Sequence, residues 1–256
     1  MKRKRILIFA VVFIAVLGIG SYFIFFRDNP TTSSAKSESS RQSTPNMQPE
    51  PTENTPQPPS FDKTKFSLDD PTSIWVVSNK TRPLQPKDYA PGDLVAVGGG
   101  QQLRKEAADA FTQLLSGARA AGYTIKPLSG YRSYTTQVSV YGNEVRTYGQ
   151  AVADTQSARP GTSEHQTGLG IDVGGGGCGI EDCFGNTPEG KWLAANAYQY
   201  GFIIRYPEGK MDITGYRYEP WHIRYVGIPL ATEMKQQGIQ TLEEFFGLPP
   251  APQYRN

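Results

Sequence analysis

The chain of 256 residues contains only two histidines, His165 and His222, and each lies within three residues of a carboxylate. Histidine is the commonest protein ligand for metals and the usual base near neutral pH. The two histidines and Asp172 would supply three ligands and leave Glu219 as a free carboxylate. Three protein ligands with an open fourth position for water are typical of a catalytic zinc centre. The residues therefore suggest one Zn2+ held by His165, Asp172 and His222.

Glu219 is the candidate base of this centre. Zinc would lower the pKa of a water molecule to about 7, and a nearby carboxylate could take the proton. Residues 219 and 222 would point to opposite faces of a straight strand. We therefore expect Pro220, which lies between them, to bend the chain so that both side chains face one pocket.

His165 and Asp172 lie seven residues apart, which fits neither a helix face nor a strand face. We therefore expect His165 on a loop ahead of a strand that carries Asp172, where Gly168 and Gly170 permit irregular backbone. The competing interpretation is that both histidines are ordinary hydrogen-bonded or surface residues. From the chemistry of the residues alone, the two interpretations are about equally favoured.

Arg132 lies in a Ser-Gly-Tyr-Arg-Ser turn that follows a predicted strand. A guanidinium group can bind a carboxylate through two parallel hydrogen bonds. A carboxypeptidase needs such a cation for the free C-terminus of its substrate, whereas an endopeptidase does not. Beside a hydrolytic zinc site, Arg132 favours a carboxypeptidase; the alternative is a structural or surface arginine.

The elements that must position these residues alternate between short strands and amphipathic helices. Apolar spacing and capping residues predict helices over 102–121, 135–148, 150–157, 187–200, 230–237 and 241–246. Strands are predicted over 74–77, 123–128, 169–173, 202–206 and 218–226. This pattern predicts a single α+β domain with a small, mostly antiparallel sheet flanked by helices.

Residues 1–28 are predicted to form a basic segment and a single transmembrane anchor. The uncharged run 6–26 would span about 30 Å as a helix, which matches a bilayer's hydrocarbon core. The basic residues 2–5 should stay in the cytoplasm, which places the rest of the chain on the extracytoplasmic side of the cell membrane. A cleaved signal peptide is the alternative, but its apolar core is usually shorter and a small-residue cleavage site follows it.

Residues 29–60 are rich in Pro, Ser and Thr and are predicted to form a disordered linker. The folded domain is predicted over 61–249, with a C-terminal tail over 250–256. The formal net charge is +2, and residues 2–5 alone contribute more than this. No basic stripe remains for nucleic acid, so we expect no nucleic-acid partner.

Three motifs carry a resemblance to a known family. Ser163-x-His165-x-x-Gly168-x-x-x-Asp172, Glu219-Pro220-Trp221-His222 and the segment 129–134 resemble the VanY-type D-alanyl-D-alanine carboxypeptidases. These belong to a zinc superfamily that includes lysostaphin-like peptidases and the hedgehog N-terminal domain. The resemblance covers about residues 75–227.

The resemblance implies zinc bound by His165, Asp172 and His222, with Glu219 as the catalytic base and Arg132 near the substrate carboxylate. It also implies a pocket lined by Tyr131, Ser133, Gln137 and Ser163. Two features depart from the family: Gly170 replaces the usual alanine, and the loop 174–186 contains Cys178 and Cys183. Outside the cell these cysteines can form a disulfide; a metal site and free thiols are the alternatives.

By the same resemblance, the expected reaction is removal of the C-terminal D-alanine from peptidoglycan stem peptides. The N-terminal apolar run adds the expectation that the enzyme is anchored to the membrane, and we expect a monomer. The motifs do not separate D,D- from L,D-cleavage. An endopeptidase with the same zinc chemistry and a non-catalytic, metal-stabilised cell-wall binding module are the alternatives. Glu219 and Arg132 both argue against the binding module.

Overall fold

A computed structural model describes residues 61–255 of the chain. The predicted anchor and linker, within residues 1–60, lie outside the described residues. Within residues 61–255, no helix has the length and apolar character that crossing a bilayer requires.

The centre of the domain is a four-stranded antiparallel sheet with the strand order β3-β4-β6-β5. Its strands are β3 (Lys126–Ser129), β4 (Gly170–Gly174), β5 (Phe202–Tyr206) and β6 (Glu219–Tyr225). An antiparallel hairpin of β1 (Leu94–Gly98) and β2 (Gln101–Arg104) precedes it. The predicted α+β class with small antiparallel sheets is confirmed.

Seven helices accompany the sheets in residues 61–255. They are α1 (Lys105–Ala120), α2 (Tyr134–Tyr148), α3 (Gln150–Gln156), α4 (Pro188–Asn196), α5 (Met211–Thr214), α6 (Ile228–Gln237) and α7 (Leu242–Phe246). Short 3-10 turns cover Glu164–Thr167, Asp182–Asn186 and Ala197–Tyr200. The helices predicted from apolar spacing all exist, with ends shifted by a few residues.

The core lies between α1 and the sheet. One face of α1 is fully buried and carries Ala107, Phe111, Leu114 and Ala118. These positions recur every three or four residues, so they form one apolar stripe on the helix. They pack in one cluster with the alternate residues of β4, among them Ile171 and Val173. Asp172, between those two residues in β4, therefore points to the other face of the sheet.

The structure differs from the prediction at two places near the start of the domain. Residues 74–77 form no strand, because the carbonyls of Ile74 and Val76 accept hydrogen bonds from the Arg224 side chain. The helix predicted from residue 102 begins at Lys105, since residues 101–104 pair with β1 instead. That pairing buries Leu103, which the helical pattern also required to be buried.

The residues after 249 do not form a separate tail. Ala251 is fully buried, and its backbone N–H donates to the Ile213 carbonyl at 2.8 Å. The Tyr254 hydroxyl accepts a hydrogen bond from the backbone N–H of Arg159 at 2.7 Å. These long-range contacts extend the folded domain past the predicted boundary, at least to Tyr254.

Candidate active site

Two strands and one turn bring together the residues predicted to bind zinc. Asp172 on β4 and His222 on β6 are directly opposite partners in the antiparallel register. His165 lies in the 3-10 turn before β4, and Gly168 ends that turn in the left-handed conformation, with φ of 68°. All three side chains are buried, with at most 5% of each residue exposed.

The ligand atoms converge. Nε2 of His165 lies 3.3 Å from Oδ2 of Asp172, and Nδ1 of His222 lies 2.8 Å from Oδ1 of the same carboxylate. One ligand atom from each of the three residues lies within 4.8 Å of the other two. Ligand atoms around a tetrahedral zinc ion would be about 3.4 Å apart, so small side-chain adjustments would suffice.

The protonation states of both histidines are also compatible with a metal cation bound between them. Nδ1 of His165 lies 2.8 Å from the Gly130 carbonyl, so this nitrogen carries the proton and Nε2 is free to bind a metal. Burial and the charge of Arg132 lower the pKa of His165 to about 4, so its ring is neutral at pH 7. Burial alone would lower the pKa of His222, but the Asp172 and Glu164 carboxylates outweigh it and raise this pKa to about 9. The cluster therefore attracts positive charge, and a bound zinc ion would displace the proton from Nδ1 of His222.

Glu219 begins β6 and reaches the same cavity as His222 because the strand pairing is irregular between them. Ile204 on β5 pairs with Ile223 on β6, and Tyr206 on β5 pairs with Glu219 on β6. An advance of two residues along β5 therefore corresponds to four residues along β6. This register shift contains Pro220, where the sequence required a bend. Burial, with the charge of Asp172, raises the pKa of Glu219 to about 8.

Arg132 follows β3 and lines this cavity. Its backbone N–H donates to the His165 carbonyl at 3.2 Å, which ties the turn of Arg132 to that of His165. Nε of Arg132 is buried and has no hydrogen-bond partner within the described residues. Burial lowers the pKa of this guanidinium, while the charges of Asp172 and Glu219 oppose that effect. The group is therefore available to an anionic ligand.

The other residues predicted to line the pocket divide into two groups. Ser163 lines the cavity, whereas Tyr131, Ser133 and Gln137 are not on its wall. Ser133 instead caps α2, since its hydroxyl accepts the backbone N–H of Thr136. The Gln137 amide donates to the Ala158 carbonyl at 2.7 Å and so holds the segment after α3 against α2.

The cavity has a volume of about 540 Å3. Part of its wall is formed by residues that the sequence motifs did not identify. Tyr206 stacks near His222 with ring centroids 5.0 Å apart, and Tyr216 lies beside Tyr206 at 4.7 Å. Glu144, Ile180, Arg217 and Trp221 also line it. Only Trp221 had a local signal, because it lies within the Glu-Pro-Trp-His motif; the others lie outside the three motifs.

Cys178 and Cys183 form a disulfide with their Cα atoms 6.0 Å apart. The bridge closes a small loop that contains Ile180, and this side chain contributes to the cavity rim. The loop after β4 therefore shapes the entrance to the site.

Comparison with known sequences identifies the family. The family described as VanY, D-alanyl-D-alanine carboxypeptidase, matches residues 100–228. YodJ of Bacillus subtilis is 44% identical over 191 residues, which cover 70% of this chain and 69% of YodJ.

Solved structures agree with the sequence match. The LdcB LD-carboxypeptidase superimposes with a TM-score of 0.64 at 43% identity, covering 69% of this chain and 87% of LdcB. A mutant of the D,D-pentapeptidase VanY from a VanB-type resistance cassette, solved with Zn(II), gives a TM-score of 0.59 at 35% identity. That match covers 66% of this chain and 97% of the VanY chain. The chain therefore belongs to the VanY D-alanyl-D-alanine carboxypeptidase family of zinc metallocarboxypeptidases.

Proposed function

We propose that the protein is a membrane-anchored, extracytoplasmic carboxypeptidase that removes the terminal D-alanine from peptidoglycan stem peptides. The observation that carries the proposal is the guanidinium of Arg132, whose Nε is buried and unpaired within the described residues. This group shares one cavity with Glu219 and the three candidate zinc ligands. A cation beside a hydrolytic centre suits a substrate that ends in a free carboxylate.

The relatives support this substrate class. LdcB is an LD-carboxypeptidase whose structure concerns peptidoglycan recognition, and VanYB has been solved in complex with D-alanine-D-alanine. An LD-carboxypeptidase and a D,D-pentapeptidase are therefore both found among relatives of this chain. The choice between them depends on how the cavity wall, which includes Tyr206, Tyr216 and Ile180, accommodates the residue before the terminal D-alanine.

Zinc, when bound by His165, Asp172 and His222, would supply a Lewis acid that polarises the scissile carbonyl and makes water more acidic. The positive charge of a bound zinc ion would favour the carboxylate form of Glu219 over the protonated form that burial favours in the zinc-free site. As a carboxylate, Glu219 accepts a proton from the attacking water and then donates it to the leaving amine. Arg132 binds the terminal carboxylate and sets which peptide bond lies beside Glu219. Glu219 is buried, and so is the Nε atom of Arg132, although the rest of the arginine is partly exposed.

The test incubates the purified full chain and zinc with tetrapeptide and pentapeptide muropeptides and follows products by mass spectrometry. Release of free D-alanine from either stem is expected, and a Glu219→Gln variant should release none while still binding zinc. The comparison of the two stems measures the specificity directly. Peptide fragments in place of D-alanine, or no product from either stem with zinc bound, would contradict the proposal.

The location outside the cytoplasm rests on residues 1–28, whose apolar run and preceding basic residues favour a single-pass anchor. The experiment is fractionation of cells that express the full chain, followed by protease treatment of intact spheroplasts. The protein should sediment with membranes, and external protease should remove its C-terminal domain. A protein protected in intact spheroplasts, or one found in the soluble fraction, would refute this location.

A further inference from the structure

Glu164 is a buried carboxylate next to the candidate zinc site that the proposed reaction does not use. It directly precedes His165, and only 1% of the residue is exposed. Its Oε1 accepts hydrogen bonds from Nε of Arg205 at 2.8 Å and from Nη1 of Arg224 at 2.7 Å. Its Oε2 has no hydrogen-bond partner within the described residues. One oxygen is thus firmly held, and the other is left for a donor.

The atom that faces this free oxygen belongs to His222. Nε2 of His222 lies 3.7 Å from Oε2 of Glu164, and it too is buried without a hydrogen-bond partner in residues 61–255. Buried polar atoms rarely stay unpaired in native proteins. A shift of less than 1 Å would turn these two unpaired atoms into one hydrogen bond, with His222 as the donor.

The opposite edge of the same ring faces the zinc ligands. Nδ1 of His222 lies 2.8 Å from Oδ1 of Asp172, so this nitrogen is the one that a metal in the cluster would use. The proton of the ring must then lie on Nε2. A metal-bound histidine almost always donates its other N–H to a carboxylate, a carbonyl or water, and that partner fixes the orientation of the ring.

The surroundings of Glu164 keep it in place. Arg205 also makes two hydrogen bonds to Glu243, at 2.8 and 2.9 Å. Arg205, Arg224, Glu164 and Glu243 are all fully buried or nearly so, which gives a compact group of two positive and two negative side chains. Arg205 belongs to β5 and Arg224 to β6, so two strands of the central sheet fix the position of the Glu164 carboxylate.

We infer that Glu164 is a positioning residue that accepts a hydrogen bond from Nε2–H of His222 and thereby presents Nδ1 of this histidine to zinc. The inference deepens the proposed function, on whose zinc site it rests. It concerns metal binding alone, so its tests measure zinc affinity and proton location and do not depend on which peptide is hydrolysed.

The first test compares Glu164→Gln with Glu243→Gln in the full chain. Each variant removes one carboxylate from the same buried group, but only the first changes the partner of His222. A glutamine at 164 has one accepting oxygen, so its amide must point NH2 either at the arginines or at Nε2 of His222. We expect Glu164→Gln to weaken zinc binding by about 10- to 100-fold in a chelator competition, and Glu243→Gln by less than about threefold.

The matched control separates a local effect from general destabilisation. Both variants should lower the melting temperature of the zinc-free chain, because both leave Arg205 with one carboxylate fewer. Wild-type zinc affinity in Glu164→Gln would overturn the inference. An equal loss of zinc affinity in both variants would overturn it as well, because the loss would then follow the charge group and not His222.

The second test needs no variant and therefore applies even if Glu164→Gln does not fold. The chain has only two histidines, so 15N-histidine labelling of an untagged zinc-loaded chain reports on four ring nitrogens. We expect opposite protonation: Nδ1–H in His165, which faces the Gly130 carbonyl, and a slowly exchanging Nε2–H in His222. Zinc on Nε2 of His222, or an Nε2–H in rapid exchange with water, would refute the role of Glu164.

Discussion

Asp172 and His222 occupy opposite positions on adjacent antiparallel strands, and the Asp172 carboxylate lies between the two histidine rings of the site. Its Oδ1 is 2.8 Å from Nδ1 of His222, and its Oδ2 is 3.3 Å from Nε2 of His165. Opposite residues of an antiparallel pair have their Cβ atoms only about 5 Å apart. The register of β4 against β6 therefore creates the candidate zinc site, and a slip of one residue would turn Asp172 into the core.

Removal of this central carboxylate should abolish tight zinc binding. For Asp172→Asn we expect a zinc dissociation constant more than about 100-fold higher, because loss of an outer-shell partner alone costs 10- to 100-fold. Chelator competition on the purified chain measures this. Asp93→Asn, which alters an exposed pair with Arg104, serves as the control and should bind zinc normally. Unchanged affinity in Asp172→Asn would remove this residue from the ligand set.

Arg132→Ala should impair peptide hydrolysis without affecting zinc. Loss of one partner of a buried charge pair costs about 2–5 kcal/mol, so we expect kcat/KM on stem peptides to fall by at least about 30-fold. Substrates whose C-terminus is amidated should show no further loss in the variant. The control is Arg217→Ala, which removes an exposed arginine from the same cavity. A similar loss in both variants would mean that general positive charge, and not Arg132, recognises the carboxylate.

The zinc-free domain should lose stability in acid through Glu243. Burial would raise the pKa of this carboxyl, but the facing Arg205 outweighs it and the pKa is lowered from its ordinary value near 4.5. The unfolded chain therefore takes up this proton first, and the stabilisation present above about pH 4.5 is lost as the pH falls towards the folded-state pKa. Thermal unfolding with a chelator from pH 7 to pH 3 should show a steeper loss in the wild type than in Glu243→Gln. Parallel curves would show that Glu243 does not contribute.

Gly170→Ala should be tolerated, whereas Gly168→Ala should not. A Cβ at position 170 would lie 3.3 Å from Nε2 of His222, a contact that a small shift relieves. We expect its unfolding free energy to change by less than about 1 kcal/mol. At Gly168 the backbone has φ of 68°, and a Cβ would lie 3.0 Å from Cγ of Arg104. The left-handed conformation alone costs about 1–2 kcal/mol for alanine.

Urea unfolding of the two variants with a chelator present compares these positions directly, and zinc titration shows whether the added methyl group at 170 disturbs His222. Zinc affinity within about threefold of the wild type is expected for Gly170→Ala. A loss of stability at 170 as large as that at 168 would show that the space beside His222 cannot be filled.

Local patterns in the sequence predicted the elements that have their own periodicity. The apolar stripe of α1 repeats every three or four residues, and β4 alternates around Asp172, so each signal is contained in one short window. The spacing of His165 and Asp172 required a loop before the strand, and the spacing of Glu219 and His222 required a bend. The 3-10 turn and the register shift of β6 supply both.

The hairpin at 94–104 was not predicted, because no short window of the sequence contains a signal for it. Its turn at residues 98–100 consists of three glycines with positive φ, and its second strand runs directly into α1. The helical spacing of apolar residues continues through Leu103, so the local pattern does not mark the point where strand pairing ends and the helix begins. Only contact with β1 decides it.

What the sequence determines by itself is the inventory: two histidines, their neighbouring acids, one arginine in a turn, and the class of the domain. The tertiary structure decides which of these side chains contact one another and which other residues surround them. Glu164 is 41 residues from Arg205 and 60 from Arg224, yet their side chains meet in the core. Such pairs depend on strand order and register, which arise from packing across the whole domain and leave no periodic signal in the chain. For this reason the sequence could nominate the candidate zinc ligands, whereas it gave no signal for the buried carboxylate behind His222.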